Sequence, residues 1–132
     1  MITCPVLLVT HPGLGRGLLD AAAAIMGVVN GVDVLSNQGL PPETLEERIA
    51  TWVETHPGPC LVLADLNFGS CCNSARRATR DRPDVGILSG VNLPMLLAVL
   101  QSRGHESLAA MLDHVRTRAR EEVQAYLDGA MR

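Results

Sequence analysis

Two short, uninterrupted runs of apolar residues constrain the fold of this chain more than any other feature. Residues 6–9 (Val-Leu-Leu-Val) precede Thr10 and His11, and residues 60–64 (Cys-Leu-Val-Leu-Ala) precede Asp65. A continuous apolar run of this length is typical of a strand buried on both faces, as in a parallel sheet covered by helices. We therefore expect both runs to be inner strands, with the polar residues that follow them at the carboxyl edge of the sheet.

Strand and helix patterns alternate along the chain, which predicts an α/β fold. We expect a single domain over residues 1–132, built on an open sheet of mostly parallel strands in the order 2-1-3-4. Helices cover both faces, and there is room for a fifth, antiparallel strand. Strands are predicted over residues 5–10, 31–36, 60–64 and 85–89. Helices are predicted over residues 14–26, 42–55, 74–80, 92–103 and 106–127.

Composition argues against several classes of function. The net charge of −3 gives no electrostatic reason to expect a nucleic-acid or membrane partner. All basic residues are Arg, so the chain lacks a lysine for Schiff-base chemistry. No apolar run approaches the roughly 18 residues of a membrane span, and no export signal is visible, so we expect a cytoplasmic protein with free thiols. The His and Cys residues show no metal-ligand spacing, and we expect neither a metal nor a cofactor.

The predicted strand order brings two chemically active residues to one place. In the order 2-1-3-4 the chain reverses direction between strands 1 and 3, which opens a crevice at their carboxyl ends. His11 and Asp65 would line this crevice. A carboxylate that accepts from one imidazole nitrogen fixes the tautomer and leaves the other nitrogen a lone pair for nucleophilic attack. Gly69 and Ser70 would supply donors for phosphate oxygens or another anion, and residues 89–92 would rim the same edge.

Plainer interpretations of the same residues stay open. A histidine at a strand end is often a solvated turn residue, and an Asp there is often a helix N-cap. The pair Cys71-Cys72 fits packing at the start of a helix. The arginines near the proposed site form either a solvated face or a surface for a negatively charged protein: Arg76, Arg77, Arg80 and Arg82.

The residues of the crevice, taken together, resemble a known family. Thr10-His11 follows the first strand, Asp65 follows the third with Gly69-Ser70 behind it, and residues 90–96 (Gly-Val-Asn-Leu-Pro-Met-Leu) follow the fourth. This arrangement resembles the EIIA domain of the mannose/fructose/sorbose family of the bacterial phosphotransferase system. The likeness runs from the first strand to the final helix, and residues 90–96 are its most specific part.

The resemblance implies a homodimeric phosphocarrier, a phosphotransferase component with a phosphohistidine intermediate. His11 would take a phosphoryl group from the histidine-containing phosphocarrier protein and pass it to an EIIB partner for sugar uptake. Asp65 would orient the ring and leave Nε2 as the nucleophile, while Thr10, Gly69 and Ser70 would bind the phosphoryl group. Any association with a membrane EIIC/EIID complex would be peripheral.

The chain departs from the family pattern near the proposed site. Pro12 replaces the usual small residue, Asn67-Phe68 stands where Trp-Gly is common, and Cys71-Cys72 replaces Pro and an apolar residue. These departures favour an alternative, a regulatory or non-transferring module that signals its phosphorylation state by binding proteins. A last strand can be exchanged between subunits in this family. Here the pattern after residue 121 still predicts helix, which leaves the exchange open.

Overall fold

A computed structural model describes residues 3–132 and contains a four-stranded parallel sheet. Its strands are β1 (Val6–Thr10), β2 (Val32–Ser36), β3 (Cys60–Ala64) and β4 (Val85–Leu88). Its helices are α1 (Leu14–Met26), α2 (Pro42–Glu54), α3 (Ser70–Ala78), α4 (Leu93–Ser102) and α5 (Leu108–Glu121). Two short strands, β5 (Tyr126–Leu127) and β6 (Ala130–Met131), pair with each other near the C-terminus.

The strand order is β2-β1-β3-β4, and all three pairings in the sheet are parallel, which confirms the predicted fold class. β1 and β3 occupy the two inner positions, with Leu8 opposite Leu63. Every residue of both strands is buried, as their continuous apolar runs predicted. The edge strand β2 is only partly covered, which agrees with its weaker alternation of apolar and polar residues.

The helices cover the sheet on both faces, and each face has its own core. Leu8 and Leu63 point into the first core, which they share with residues of α1, α4 and α5. Val9 and Val62 point into the second core, which they share with α2 and α3. Each such side chain, when fully buried, stabilises the fold by about 1.5–3 kcal/mol. This two-sided burial fixes β1 and β3 and, with them, the loops at their carboxyl ends.

Two predicted helix boundaries are wrong. The third helix begins at Ser70 rather than after Asn73, because an extended Gly69 leads directly into it. The last helix ends at Glu121 rather than near Leu127. The chain then forms the β5–β6 hairpin, whose turn residues Asp128 and Gly129 both have positive φ angles, 52° and 78°. An Asp-Gly pair between apolar residues favours this two-residue turn over a continued helix.

Two further features concern the cysteines and the apolar character of the helices. The cysteines at positions 4, 60, 71 and 72 are all free, as predicted. Within residues 3–132, none of the helices combines the length and the apolar character needed to cross a bilayer.

Candidate functional site

The structure brings His11 and Asp65 together at the carboxyl edge of the sheet. Each residue immediately follows one of the two inner strands, and these strands run parallel and adjacent. The Nδ1 atom of His11 lies 2.6 Å from Oδ2 of Asp65. The backbone N–H of His11 donates to the same oxygen at 2.8 Å. Both the main chain and the ring of His11 therefore bind one oxygen of Asp65, which holds the Nδ1 side of the imidazole against the carboxylate.

Asp65 is held as a carboxylate. Its side chain is only 6% exposed, and Oδ1 accepts a further hydrogen bond from the backbone N–H of Leu66 at 2.9 Å. Burial raises the pKa of Asp65, but the hydrogen bonds from His11 and from the N–H of Leu66 outweigh it, and the net pKa lies below the ordinary value. An ionised carboxylate can only accept hydrogen bonds, so Nδ1 of His11 must carry the proton of their short contact.

The other ring nitrogen of His11, Nε2, is not the one that contacts Asp65. The side chain is 51% exposed, in contrast to the buried carboxylate behind it. With a proton on Nδ1, a neutral imidazole has its lone pair on Nε2. The site therefore presents an oriented nitrogen nucleophile whose developing positive charge would be stabilised by Asp65.

Thr10 shapes the turn that carries His11. Its side chain is buried, and its hydroxyl donates to the carbonyl oxygen of His11 at 2.9 Å and accepts from the N–H of Gly15 at 2.8 Å. Gly13 has a φ of 82°, which favours glycine and lets the chain turn into α1. Because the hydroxyl of Thr10 is engaged on both sides by backbone, it positions His11 and does not point toward a ligand.

The first turn of α3 forms the opposite side of the site. Gly69 precedes the helix, and no side chain caps its first N–H groups. Such groups have no acceptor within the helix and are suited to anionic oxygens. Ser70 is exposed, and its hydroxyl accepts a hydrogen bond from the Asn37 side chain at 3.3 Å. Asn37 directly follows β2, and nothing in the sequence spacing indicated that it would reach this helix.

Cys71, which the sequence analysis assigned to packing at the start of a helix, also lies beside the reactive pair. Its Sγ, a carboxylate oxygen of Asp65 and a ring nitrogen of His11 all lie within 4.8 Å of one another. The thiol is fully buried. Burial, together with the nearby negative charge of Asp65, raises the pKa of Cys71 to about 11, so the thiol is protonated at neutral pH.

The loop after β4 reaches the same edge, as predicted. The N–H of Val91 donates to the carbonyl of Ala64 at 3.0 Å, and the Ser89 hydroxyl donates to the side-chain oxygen of Asn67 at 3.1 Å. These contacts tie the loops after β3 and β4 to each other. Asn92 then caps α4 by accepting from the N–H of Met95 at 2.9 Å.

The segments that carry His11 and Asp65 expose several apolar side chains. Leu66 and Phe68, in the loop after Asp65, are 60% and 86% exposed. Leu14, whose N–H donates to the carbonyl of His11, is 42% exposed. A hollow of about 670 Å³ lies elsewhere, between β2 and α2. Exposed apolar side chains in the segments next to an exposed histidine are typical of a surface that binds another protein.

The four arginines that the sequence analysis grouped do not form one basic surface, because they differ in their ion pairs and exposure. Arg82 is paired within the chain: its guanidinium binds both carboxylate oxygens of Asp84 at 2.7 and 3.0 Å. It also donates to the carbonyls of Val53 and Gly58, which ties the start of β4 to the end of α2. Arg77 is paired with Glu46 at 3.3 Å. The exposed basic residues of α3 and its end are Arg76, Arg77 and Arg80.

The fold and this site define a class: an open α/β protein with an exposed histidine, oriented by a buried carboxylate, at the point where the chain reverses direction. A protein-family model, EIIA-man, described as the PTS system fructose IIA component, matches residues 5–116. The chain belongs to this family.

Several solved structures are similar to this chain, and two of the three given below are described as phosphotransferase IIA components. One is the phosphotransferase system component EIIA from Streptococcus agalactiae, with a TM-score of 0.84, 25% identity and coverage of 91% of this chain and 95% of that one. Another is the mannose/sorbose specific IIA subunit from Enterococcus faecalis, with a TM-score of 0.84, 23% identity and coverage of 96% of both chains. A third is a sigma-54 interaction domain protein from Enterococcus faecalis, with a TM-score of 0.75, 13% identity and coverage of 91% and 93%.

Proposed function

We propose that this chain is a phosphocarrier of the phosphotransferase system, acting as a single domain with His11 as the residue that is phosphorylated. The histidine-containing phosphocarrier protein donates the phosphoryl group, and an EIIB component accepts it for sugar uptake. The observation that carries the proposal is the contact of 2.6 Å between Nδ1 of His11 and the buried carboxylate of Asp65. This contact leaves Nε2 as the free nucleophile on an exposed ring.

The transfer step follows from this arrangement. The lone pair of Nε2 attacks the phosphorus, forming an N–P bond, while the bond from phosphorus to the donor's histidine nitrogen breaks in line. The proton on Nδ1 stays in its hydrogen bond to Asp65, and the carboxylate stabilises the positive charge that develops on the ring. The first-turn N–H groups of α3, with Gly69 and Ser70, bind the phosphoryl oxygens. Such a step depends mainly on positioning and charge stabilisation.

The exposed surface around the site supports delivery by a protein. Leu14, Leu66 and Phe68 lie in the segments that follow His11 and Asp65 and are exposed, and a docking partner would cover these apolar side chains. Thr10 contributes by holding the turn of His11 rather than by contacting the phosphoryl group. We further propose a cytoplasmic homodimer, which would meet a membrane EIIC/EIID complex only through its partners.

Phosphorylation of the intact chain tests the proposal. The protein is incubated with phosphoenolpyruvate, Enzyme I and the phosphocarrier protein, and its intact mass is measured. We expect one acid-labile phosphoryl group on the wild-type chain and none on His11→Ala. A wild-type chain that gains no phosphoryl group, or a His11→Ala chain that still gains one, would contradict the proposal.

The role of Asp65 is separable from that of His11. We expect Asp65→Asn to fold but to accept the phosphoryl group about 10–100-fold more slowly, which is the typical cost of losing a residue that orients a metal-binding histidine. An unchanged rate would show that Asp65 serves only to bind the backbone of the turn.

A regulatory role is the second candidate. The same fold occurs in a protein described as a sigma-54 interaction domain protein, although the 13% identity shows likeness of fold alone. In this role phospho-His11 would report the phosphoenolpyruvate supply to a target protein. Growth on mannose-type sugars after deletion of the gene distinguishes the two, because only a transport component is needed for that growth.

A further inference from the structure

The cluster of Cys71 with the reactive pair has chemistry that phosphoryl transfer does not use. A ring nitrogen of His11, a carboxylate oxygen of Asp65 and the Sγ of Cys71 lie within 4.8 Å of one another. They come from three segments: the ends of β1 and β3 and the first turn of α3. Imidazole, carboxylate and thiolate are the three ligand types that zinc binds in proteins. We propose that these residues form a binding site for one thiophilic divalent cation of the zinc type, and that the bound cation prevents phosphorylation of His11.

The geometry fits an open, three-ligand site. Zinc bonds of about 2.0–2.3 Å separate two ligand atoms on the same ion by roughly 3–4 Å. To reach such separations, the contact of 2.6 Å between Nδ1 and Oδ2 would lengthen slightly, and separations of up to 4.8 Å would shorten by about 1 Å. Asp65 and Cys71 are buried, but the ring of His11 is 51% exposed and can adjust. His11 lies on the solvent side of the cluster. A water molecule could bind there as the fourth ligand of the ion, as in other sites with three protein ligands.

Binding changes the state of the histidine in a defined way. The ring nitrogen that faces Asp65 is Nδ1, so the cation takes the place of the proton in the contact between Nδ1 and Oδ2. That proton passes through solvent to Nε2, and the Cys71 thiol releases its own proton to solvent as it becomes a thiolate. One proton is therefore released for each cation bound. A ring with its cation on Nδ1 and its proton on Nε2 has no lone pair left for phosphorus.

Binding and inhibition are separate parts of the proposal. The site itself depends only on the three side chains and stands whether or not the chain carries phosphoryl groups. The inhibition rests on the proposed phosphocarrier function. Cys71 is the residue that makes the site particular to this chain, because His11 and Asp65 alone offer only two ligands.

Cobalt is the probe for binding, since a cobalt–thiolate bond gives a charge-transfer band in the near ultraviolet. The full chain, kept reduced by a phosphine, is titrated with Co²⁺, and we expect one ion per chain with this band. Loss of a residue that merely orients a metal ligand typically weakens binding about 10–100-fold, so Cys71→Ser should weaken it at least about 100-fold. Cys72→Ser, which removes the adjacent buried thiol, is the matched control and should keep the band.

His11→Gln makes the test independent of core packing. His11 is exposed, so this substitution should leave the fold intact and still weaken cobalt binding, whereas Cys71→Ser changes a fully buried position. Circular dichroism checks that each variant is folded. A wild-type chain without the band, or a band equally strong in His11→Gln or in a folded Cys71→Ser, would overturn the site.

Inhibition is measured with purified, phosphorylated phosphocarrier protein as the donor. We expect Zn²⁺ to slow phosphorylation of the wild-type chain at least about tenfold, with little effect on Cys71→Ser, which also controls for any action of zinc on the donor. Equal slowing of both chains would overturn the inhibition. A wild-type chain that is not phosphorylated even without zinc would refute the phosphocarrier function, and the cobalt band would still decide the site.

Discussion

Gly15 is the residue on which the turn carrying His11 depends most directly. A Cβ atom at this position would lie 2.8 Å from Cγ1 of Val34 and 3.0 Å from Oγ1 of Thr10. The Thr10 hydroxyl binds the N–H of Gly15 and the carbonyl of His11, so a displaced Thr10 would disturb the histidine as well. The absence of a side chain at Gly15 therefore permits α1 to approach β1 and the edge strand β2 closely.

We expect Gly15→Ala to destabilise the fold by about 1–3 kcal/mol, because the added methyl group overpacks this contact. Gly17→Ala is the matched control on the same helix, where a Cβ would meet nothing within 4 Å. There, alanine should stabilise the helix by about 0.5–1 kcal/mol. Urea unfolding of both variants measures the change in the free energy of unfolding. Equal changes at the two positions would show that the close approach at Gly15 does not affect stability.

The pH dependence of stability should carry the signature of Asp65. Its pKa is lower in the folded chain than its ordinary value of 3.8, so the ionised carboxylate stabilises the fold above the unfolded pKa and this contribution disappears as the pH falls through the folded pKa. We expect the gap in unfolding free energy between wild type and Asp65→Asn to shrink between about pH 5 and about pH 3, below the usual titration of histidine. Urea unfolding across this range checks it, and a constant gap would contradict the lowered pKa.

At the scale of elements, the start of α4 rests on one side chain. The Asn92 carboxamide oxygen accepts from the N–H of Met95, and the preceding loop is bound to β3 through Val91. We expect Asn92→Ala to lower the free energy of unfolding by about 1 kcal/mol through loss of the cap, and Asn92→Asp, which keeps an acceptor, to lower it much less. Thermal unfolding measures both. If alanine and aspartate behave alike, the cap is not the source of the stability.

The end of α5 shows how two local signals compete. The apolar positions from 108 to 127 keep a helical period, and on this basis the helix was predicted to continue. The Asp128-Gly129 pair requires positive φ angles that a hairpin turn uses and a helix forbids. The hairpin signal was present in the sequence, but it concerns only six residues. The longer helical period obscured it.

At the scale of the whole molecule, the C-terminal hairpin stays exposed and is not buried against any part of residues 3–132. Every residue from 120 to 132 is exposed, including the apolar side chains Val123, Tyr126, Leu127 and Met131. β4 is also an edge strand of the sheet, with one side unpaired. Exposed apolar groups of this kind favour association, which agrees with the proposed homodimer.

We expect the full chain to sediment as a dimer at micromolar concentration and a chain lacking residues 123–132 to sediment as a folded monomer. The reason is that the truncation removes the exposed apolar side chains of the hairpin while leaving the two cores intact. Sedimentation and circular dichroism together measure this. A full chain that is monomeric would contradict the homodimer, and a truncated chain that remains dimeric would locate the interface elsewhere.

The pattern of apolar and polar residues was sufficient to predict the strand order and to predict that His11 and Asp65 lie close together. Continuous apolar runs identify β1 and β3 as inner strands, and parallel inner neighbours must bring their following residues to one edge. The placement of Cys71 against that pair could not be obtained in this way, because it depends on where α3 begins and how it packs on the sheet. The same holds for Asn37 reaching Ser70, for the buried hydroxyl of Thr10 and for the pairing of Arg82 with backbone carbonyls. These are contacts between elements distant in sequence, and periodicity carries no information about such distances.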